Sequence, residues 1–158
     1  MPKISALIHA KDDAQRLGRA LESLRACDQV IVVDHGSTDD TAKVARQHGA
    51  TLKHGICGVE PGAYVIEARH DWVLCLQPNE SLGEGLEASL FEWKESEPPE
   101  DAIGYCLQVR EDTGQGWRTL DAELRLVNRQ RVNWTGKLPP GNCPAPALEG
   151  TLLRFSKP

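Results

Sequence analysis

Four short stretches hold the side chains able to do chemistry: His9-Ala10-Lys11, Asp34-His35-Gly36-Ser37, Gln77-Pro78-Asn79-Glu80 and Glu111-Asp112. Lys11 offers an ammonium suited to a phosphate or a base. Asp34 closes an apolar run and is followed by Gly-Ser-Thr-Asp, a pattern that serves equally as a turn and helix cap. Gln77 to Glu80 follows another apolar run, a common place for metal-binding carboxylates, yet it presents two amides and a proline with one glutamate behind them. Amide oxygens are neutral and hold Mg²⁺ far more weakly than carboxylates do. His9 and His35, taken with Glu80, make a softer set of the kind Zn²⁺ accepts. Glu80 also fits as a charge near a helix start, and Glu111-Asp112 as hairpin charges beside Gly114 and Gly116.

These stretches need elements to hold them. Residues 4–8, 29–33 and Trp72–Leu76 are short apolar runs of the kind that form buried parallel strands, and residues 50–53 can form a further short strand. Between them lie helical patterns. Ala14, Leu17, Leu21 and Leu24 recur at helical spacing behind Asp12 or Asp13 as cap. A second helix runs to about His48, capped by Ser37 or Thr38 and ended by Gly49. A third is expected over residues 63–69. A fourth carries Leu82, Leu86, Leu90 and Trp93, with Ser81 and Glu84 as a capping box and Pro98-Pro99 as the stop. Alternating strands and helices predict an α/β fold with an open, mostly parallel sheet flanked by helices. Ligands bind such sheets beyond the carboxyl ends of the strands, which is where the first three stretches fall.

After Pro99 the pattern changes. Residues 102–110, 124–128 and 131–134 are expected as short strands, antiparallel toward the C-terminus, with residues 111–117 as a turn and an irregular tail over 139–146. The chain is read as a single domain over 1–158, with a nucleotide-binding half over 1–97 and a reduced acceptor-side half over 98–158.

Composition narrows the class. The chain has 158 residues, 40% hydrophobic and 26% charged, with a formal net charge of −5. It has no dense basic stripe, which argues against nucleic acid as a partner. A loose cluster of Arg125, Arg129, Arg131 and Lys137 fits a solvated face or an anionic acceptor or headgroup. Five cysteines, Cys27, Cys57, Cys75, Cys106 and Cys143, show no C-x-x-C spacing and read as thiols of a reducing cytoplasm. No stretch is apolar enough to cross a membrane, so the expected place is cytoplasmic, with peripheral contact at the inner membrane face left open. Trp117 and Trp134 suit either a sugar face or a hydrophobic plug.

The opening, with Val33-Asp34-His35-Gly36-Ser37-Thr38-Asp39-Asp40-Thr41 between strand and helix, resembles the family-2 glycosyltransferases and their GT-A fold, closest to bacterial members of the lipopolysaccharide-core type. The resemblance continues through residues 68–82 and covers roughly the first 95 residues well. It implies a nucleoside diphosphate sugar as donor, a divalent metal, Mg²⁺ or Mn²⁺, at the diphosphate, and a polysaccharide or lipid-linked acceptor. By position, Asp34 and Ser37 would hold the nucleoside, His9, Ala10 and Lys11 would line the base pocket, and Asn79 with Glu80 would stand at the metal. Inverting members use a carboxylate as base, for which Glu111 and Asp112 are the acidic pair in the right region. The family's D-x-D stands here as Gln77-Pro78-Asn79. The late segment that in relatives carries a V-H-E-like run reads "VNWTGKLPPGN". These departures fit a second implied role, a degenerate binding or regulatory module.

Overall fold

The computed structural model describes residues 1–141 and 145–158, so Cys143 lies outside the described residues. The described strands form one sheet in the order β3-β2-β1-β4-β8-β6-β9-β5, with β7 paired to β6. Its parallel half comprises β1 (Ile4–Ala10), β2 (Gln29–Asp34), β3 (Thr51–His54) and β4 (Trp72–Leu76). The chain runs outward from β1 through β2 to β3, then returns to place β4 on the other flank of β1. That reversal opens a crevice at the carboxyl ends of β1 and β4.

β1 is buried along its whole length because it lies inside the sheet with both faces covered. Its side chains alternate between two cores. Ile4, Ala6, Ile8 and Ala10 pack under helices α1 (Ala14–Glu22) and α3 (Glu84–Lys94), while Leu7 faces Ile31, Val33, Tyr64 and Trp134. α1 buries Leu17, Ala20 and Leu21, the face its spacing predicts. Helix α2 (Thr41–Gln47) follows β2.

The second half is antiparallel where it meets β4. β8 (Glu123–Asn128) pairs with β4, and β6 (Gly104–Asp112) pairs with β8 and with β7 (Trp117–Thr119). β9 (Ala147–Arg154) runs parallel to β6 and antiparallel to β5 (Glu80–Leu82). Among the described residues no helix is long and apolar enough to cross a membrane.

Several local expectations change. Ser81 is not a helix cap: it lies in β5, paired with Leu153, and α3 starts after Gly83 with no side-chain cap bond. Ser37 and Thr38 lie ahead of α2, whose N-cap is Asp40, because the Ser37 hydroxyl is drawn back to Asp34. The segment expected as a helix over 63–69 is a 3-10 helix, Pro61–Glu67. Residues 131–134 form no strand; Trp134 instead plugs the second core against Gly62, where a Cβ would lie 2.1 Å from the Trp134 carbonyl oxygen. β9 was not expected, since Glu149 and Gly150 interrupt its apolar pattern. Gly150, at φ 98°, lies so close to α3 that a Cβ would come within 2.2 Å of the Leu86 nitrogen.

Candidate nucleotide-sugar site

The loops after β1 and β2 are tied into one unit. Asp12 adopts φ 54°, a conformation that aspartate tolerates. Its Oδ1 accepts from the Thr38 amide at 2.7 Å, and its own amide donates to the Ser37 hydroxyl at 2.9 Å. The Asp13 amide donates to Thr41 Oγ1 at 2.9 Å, and Asp13 Oδ2 accepts from the Lys11 amide at 2.8 Å. Asp39 accepts from the amides of Ala14 and Thr41; the bond from the Thr41 hydroxyl leads the set that lowers its pKa. Asp34 is buried, and its Oδ1 takes both the Ser37 amide at 3.0 Å and the Ser37 hydroxyl. Ser37, expected at the nucleoside, is thus engaged in holding the loops.

Beneath this rim two imidazoles meet. Residues 7 and 9 share a face of β1, as residues 33 and 35 do after β2, and the Ala10 carbonyl accepts from the His35 amide at 2.9 Å. This brings His9 Nδ1 to 2.8 Å from His35 Nε2, with the rings stacked 5.1 Å apart and Tyr64 edge-on to both. One nitrogen must donate and the other accept, so the two rings are not protonated together. Burial above all, then the charges of His35 and Lys137, lowers the His9 pKa to about 4; burial and Lys137 also lower that of His35. Gly55 makes room, since a Cβ there would sit 2.4 Å from His35 Nδ1. The imidazoles therefore bond to each other rather than converge on Glu80.

The turn after β4 has an ionic foundation. Glu80 is 0% exposed and bridges Arg125, also 0% exposed, at two points of 2.7 and 2.8 Å. Its remaining capacity goes to the Gln77 amide at 2.8 Å and Arg154 Nε at 3.0 Å. Arg125 reaches on to the Cys75 carbonyl and Glu123. Burial opposes its charge, but Glu80 and Glu123 outweigh burial and raise its pKa. Glu111 joins the edge of this network through Arg154 at 3.8 Å and pairs with Arg118 at 2.6 Å. Asp112 accepts from the Gly114 amide and the Ser156 hydroxyl, and the former leads the lowering of its pKa.

Between the rim and the turn lies a cavity of about 390 Å³, lined by His9, Lys11, Asp13, Arg16, Lys137 and the turn Gln77-Pro78-Asn79. Of the expected residues, His9, Lys11 and Asn79 meet here. Ala10 and Asp34 are buried behind it, and Glu80 lies below the turn. Glu111 and Asp112 do not line it. Arg16 escaped the sequence reading altogether, and Lys137 was read toward a solvated face or an anionic acceptor or headgroup, not toward the donor. Arg16 was hidden in an amphipathic helix, whereas Lys137 was visible only as one member of a basic cluster. The other members turn elsewhere: Arg125 into the core, Arg129 to the Ala68 carbonyl and Asp71, and Arg131 to the Glu100 carbonyl.

The residues at the turn do not fit a divalent metal. At a diphosphate, Mg²⁺ is ordinarily held through one or two protein carboxylates together with phosphate oxygens. Gln77 and Asn79 supply neutral ones, both oxygens of Glu80 are occupied by arginines, and among the described residues no group of three or more His, Cys, Asp or Glu converges to hold an ion.

The chain matches the model of Glycosyl transferase family 2 over residues 5–148. An uncharacterized glycosyltransferase of Rickettsia felis is 39% identical over 92 residues, which are 55% of this chain and 32% of that protein. The 4,4'-diaponeurosporenoate glycosyltransferase of Staphylococcus aureus is 40% identical over 52 residues, covering 31% of this chain and 14% of its own. The chain spans about a third of the length of the Rickettsia felis relative. Among solved structures, glucosyl-3-phosphoglycerate synthase from Mycobacterium tuberculosis with phosphoglyceric acid superposes at TM-score 0.52 and 17% identity, over 72% of this chain and 46% of that one. The same synthase with Mn²⁺, UDP and glucosyl-3-phosphoglycerate gives 0.51 at 18% identity, over the same shares. These likenesses bear out the GT-A-like α/β fold, and the match over most of its length makes this chain a member of glycosyl transferase family 2.

Proposed function

We propose that the chain is the donor-binding part of a glycosyltransferase that takes a nucleoside diphosphate sugar and passes the sugar to a hydroxyl of a saccharide or lipid-linked acceptor. The observation that carries this is the cavity at the switch point between β1 and β4, with His9 and Lys11 on one wall and the Gln77-Pro78-Asn79 turn on the other. The solved synthase that shares the fold is a complex with UDP and a glucosyl product, which supports the same class of donor here. His9 would set the floor under the base, Lys11 would meet the phosphates, and Asp34, which lies off the cavity wall, would offer its second carboxylate oxygen to a nucleoside that extends beyond the cavity toward the end of β2. The base that would deprotonate the attacking acceptor hydroxyl is proposed as Glu111 or Asp112, which requires the donor's anomeric carbon to project past the turn to the end of β6.

Isothermal titration with UDP, GDP, dTDP and CDP tests the donor assignment. Saturable one-to-one binding of at least one of them is expected, and no binding of any would sink it. A second role is favoured by one observation: among the described residues no carboxylate other than Asp13, already held by Arg16, lines the cavity. In that case the chain binds donor without turnover. Incubation with radiolabelled sugar nucleotide and candidate glycan or lipid acceptors separates the two, since a binding module releases no nucleoside diphosphate above the spontaneous rate.

A further inference from the structure

We infer that the diphosphate of the donor is held by the basic side chains Lys11, Arg16 and Lys137 in place of a metal ion, so that nucleotide binding is metal-independent. This rests on the donor assignment proposed above and concerns how the same cavity neutralises charge.

Three observations converge. The protein carries a formal net charge of −5, yet among the described residues the cavity is lined by three cationic side chains, Lys11, Arg16 and Lys137, against one carboxylate. That carboxylate, Asp13, is buried and already engaged: Oδ1 holds Arg16 Nε at 2.6 Å and Oδ2 the Lys11 amide at 2.8 Å. It therefore orients Arg16 rather than recruiting a cation. Second, Lys137 is exposed yet lines the cavity, on the same loop whose Leu138 also lines it, and its charge is felt by both His9 and His35. Third, the turn where a metal would sit has amides facing the cavity and its one carboxylate sealed beneath by Arg125 and Arg154.

A pyrophosphate needs positive charge whether it is only bound or also leaves. Two lysines and an arginine can supply it through charge-assisted hydrogen bonds, with the arginine offering a two-point contact. In a cleft partly shielded from water these fixed charges would also stabilise the charge that develops on a departing diphosphate. The amides of Gln77 and Asn79 then become an asset, since carboxylates there would repel an anion that no metal bridges.

The test is titration calorimetry with the tightest-binding nucleoside diphosphate and its parent nucleoside, in EDTA and in excess MnCl₂. Binding of the diphosphate is expected to differ by less than about threefold between the two conditions. Lys11→Ala and Lys137→Ala are each expected to weaken it about tenfold in EDTA while leaving nucleoside binding unchanged, as loss of one charge-assisted bond implies. Asn79→Asp is expected to weaken binding in EDTA and to introduce a Mn²⁺ requirement. Thermal melts confirm that the variants fold. A natural chain whose affinity rises more than tenfold with Mn²⁺, or lysine variants that bind as the natural chain does, would overturn the inference while leaving the donor assignment standing. Failure of every nucleoside diphosphate to bind removes both.

Discussion

Arg125 and Glu80 face each other through two parallel hydrogen bonds of 2.7 and 2.8 Å with neither side chain exposed to solvent. The pair joins β8 to the turn that forms one wall of the cavity. Arg125 Nε has no hydrogen-bond partner among the described residues, so the guanidinium leans on Glu80 and Glu123 for its charge balance. Glu80→Gln leaves a buried guanidinium without its main counter-charge, and a loss of about 3–5 kcal/mol in urea unfolding is expected. The double variant Glu80→Gln with Arg125→Met is expected to lose less than Glu80→Gln alone. If Glu80→Gln cost under about 1 kcal/mol, the pair would not be organising the turn.

Ser37 tests scaffold against ligand. Its hydroxyl donates to Asp34 and accepts from the Asp12 amide. Ser37→Ala is expected to cost about 1–2 kcal/mol of stability and to change nucleotide affinity only slightly. A large loss of affinity with unchanged stability would return Ser37 to the nucleoside-binding role.

His9 gives the fold a pH dependence. Its pKa is about 4 in the folded chain against 6.5 ordinarily, because burial first, then His35 and Lys137, disfavour the charged ring. The unfolded chain therefore binds the proton more readily. The stabilisation is complete above about pH 6.5 and is lost as the pH falls toward 4, up to roughly 3 kcal/mol. Urea midpoints of the natural chain should drop more steeply from pH 7 to pH 5 than those of His9→Phe. Parallel slopes would show that the ring is not held neutral by the fold.

Gly62 and Gly136 make a matched pair. A Cβ on Gly62 would meet the Trp134 backbone oxygen at 2.1 Å, which cannot move aside cheaply, whereas one on Gly136 would find its nearest neighbour at an ordinary 3.7 Å. Gly62→Ala is expected to cost about 1–3 kcal/mol and Gly136→Ala under about 0.5 kcal/mol by thermal melting. Equal effects would mean that Trp134 is not seated against the 3-10 segment.

The parallel half of the sheet was legible because β1, β2 and β4 are local apolar runs bounded by turn residues, and the crevice follows from their order. β5 and β9 were not legible. β5 is three residues long and looked like a helix cap, since Ser81 and Glu84 have the right spacing; pairing with Leu153 decided otherwise. The site divided the same way. His9, Lys11 and Asn79 are strand-end residues and could be placed from strand order alone. The engagement of Glu80 depends on Arg125 and Arg154, which lie 45 and 74 residues away and carry no local mark of that contact. Lys137 reaches the cavity only because Trp134 anchors its loop in the core.

The Phe155 amide donates to the Asn79 carbonyl at 2.8 Å, just past the point where Arg154 grips Glu80. The wall of the cavity is therefore completed by β9, a strand that emerges during synthesis long after β1 to β4 can pair. The nascent chain would hold its parallel strands before it had the completed cavity wall. A protease that removed β9 would unmake the turn from below and leave the parallel strands intact, so the two properties can fail separately.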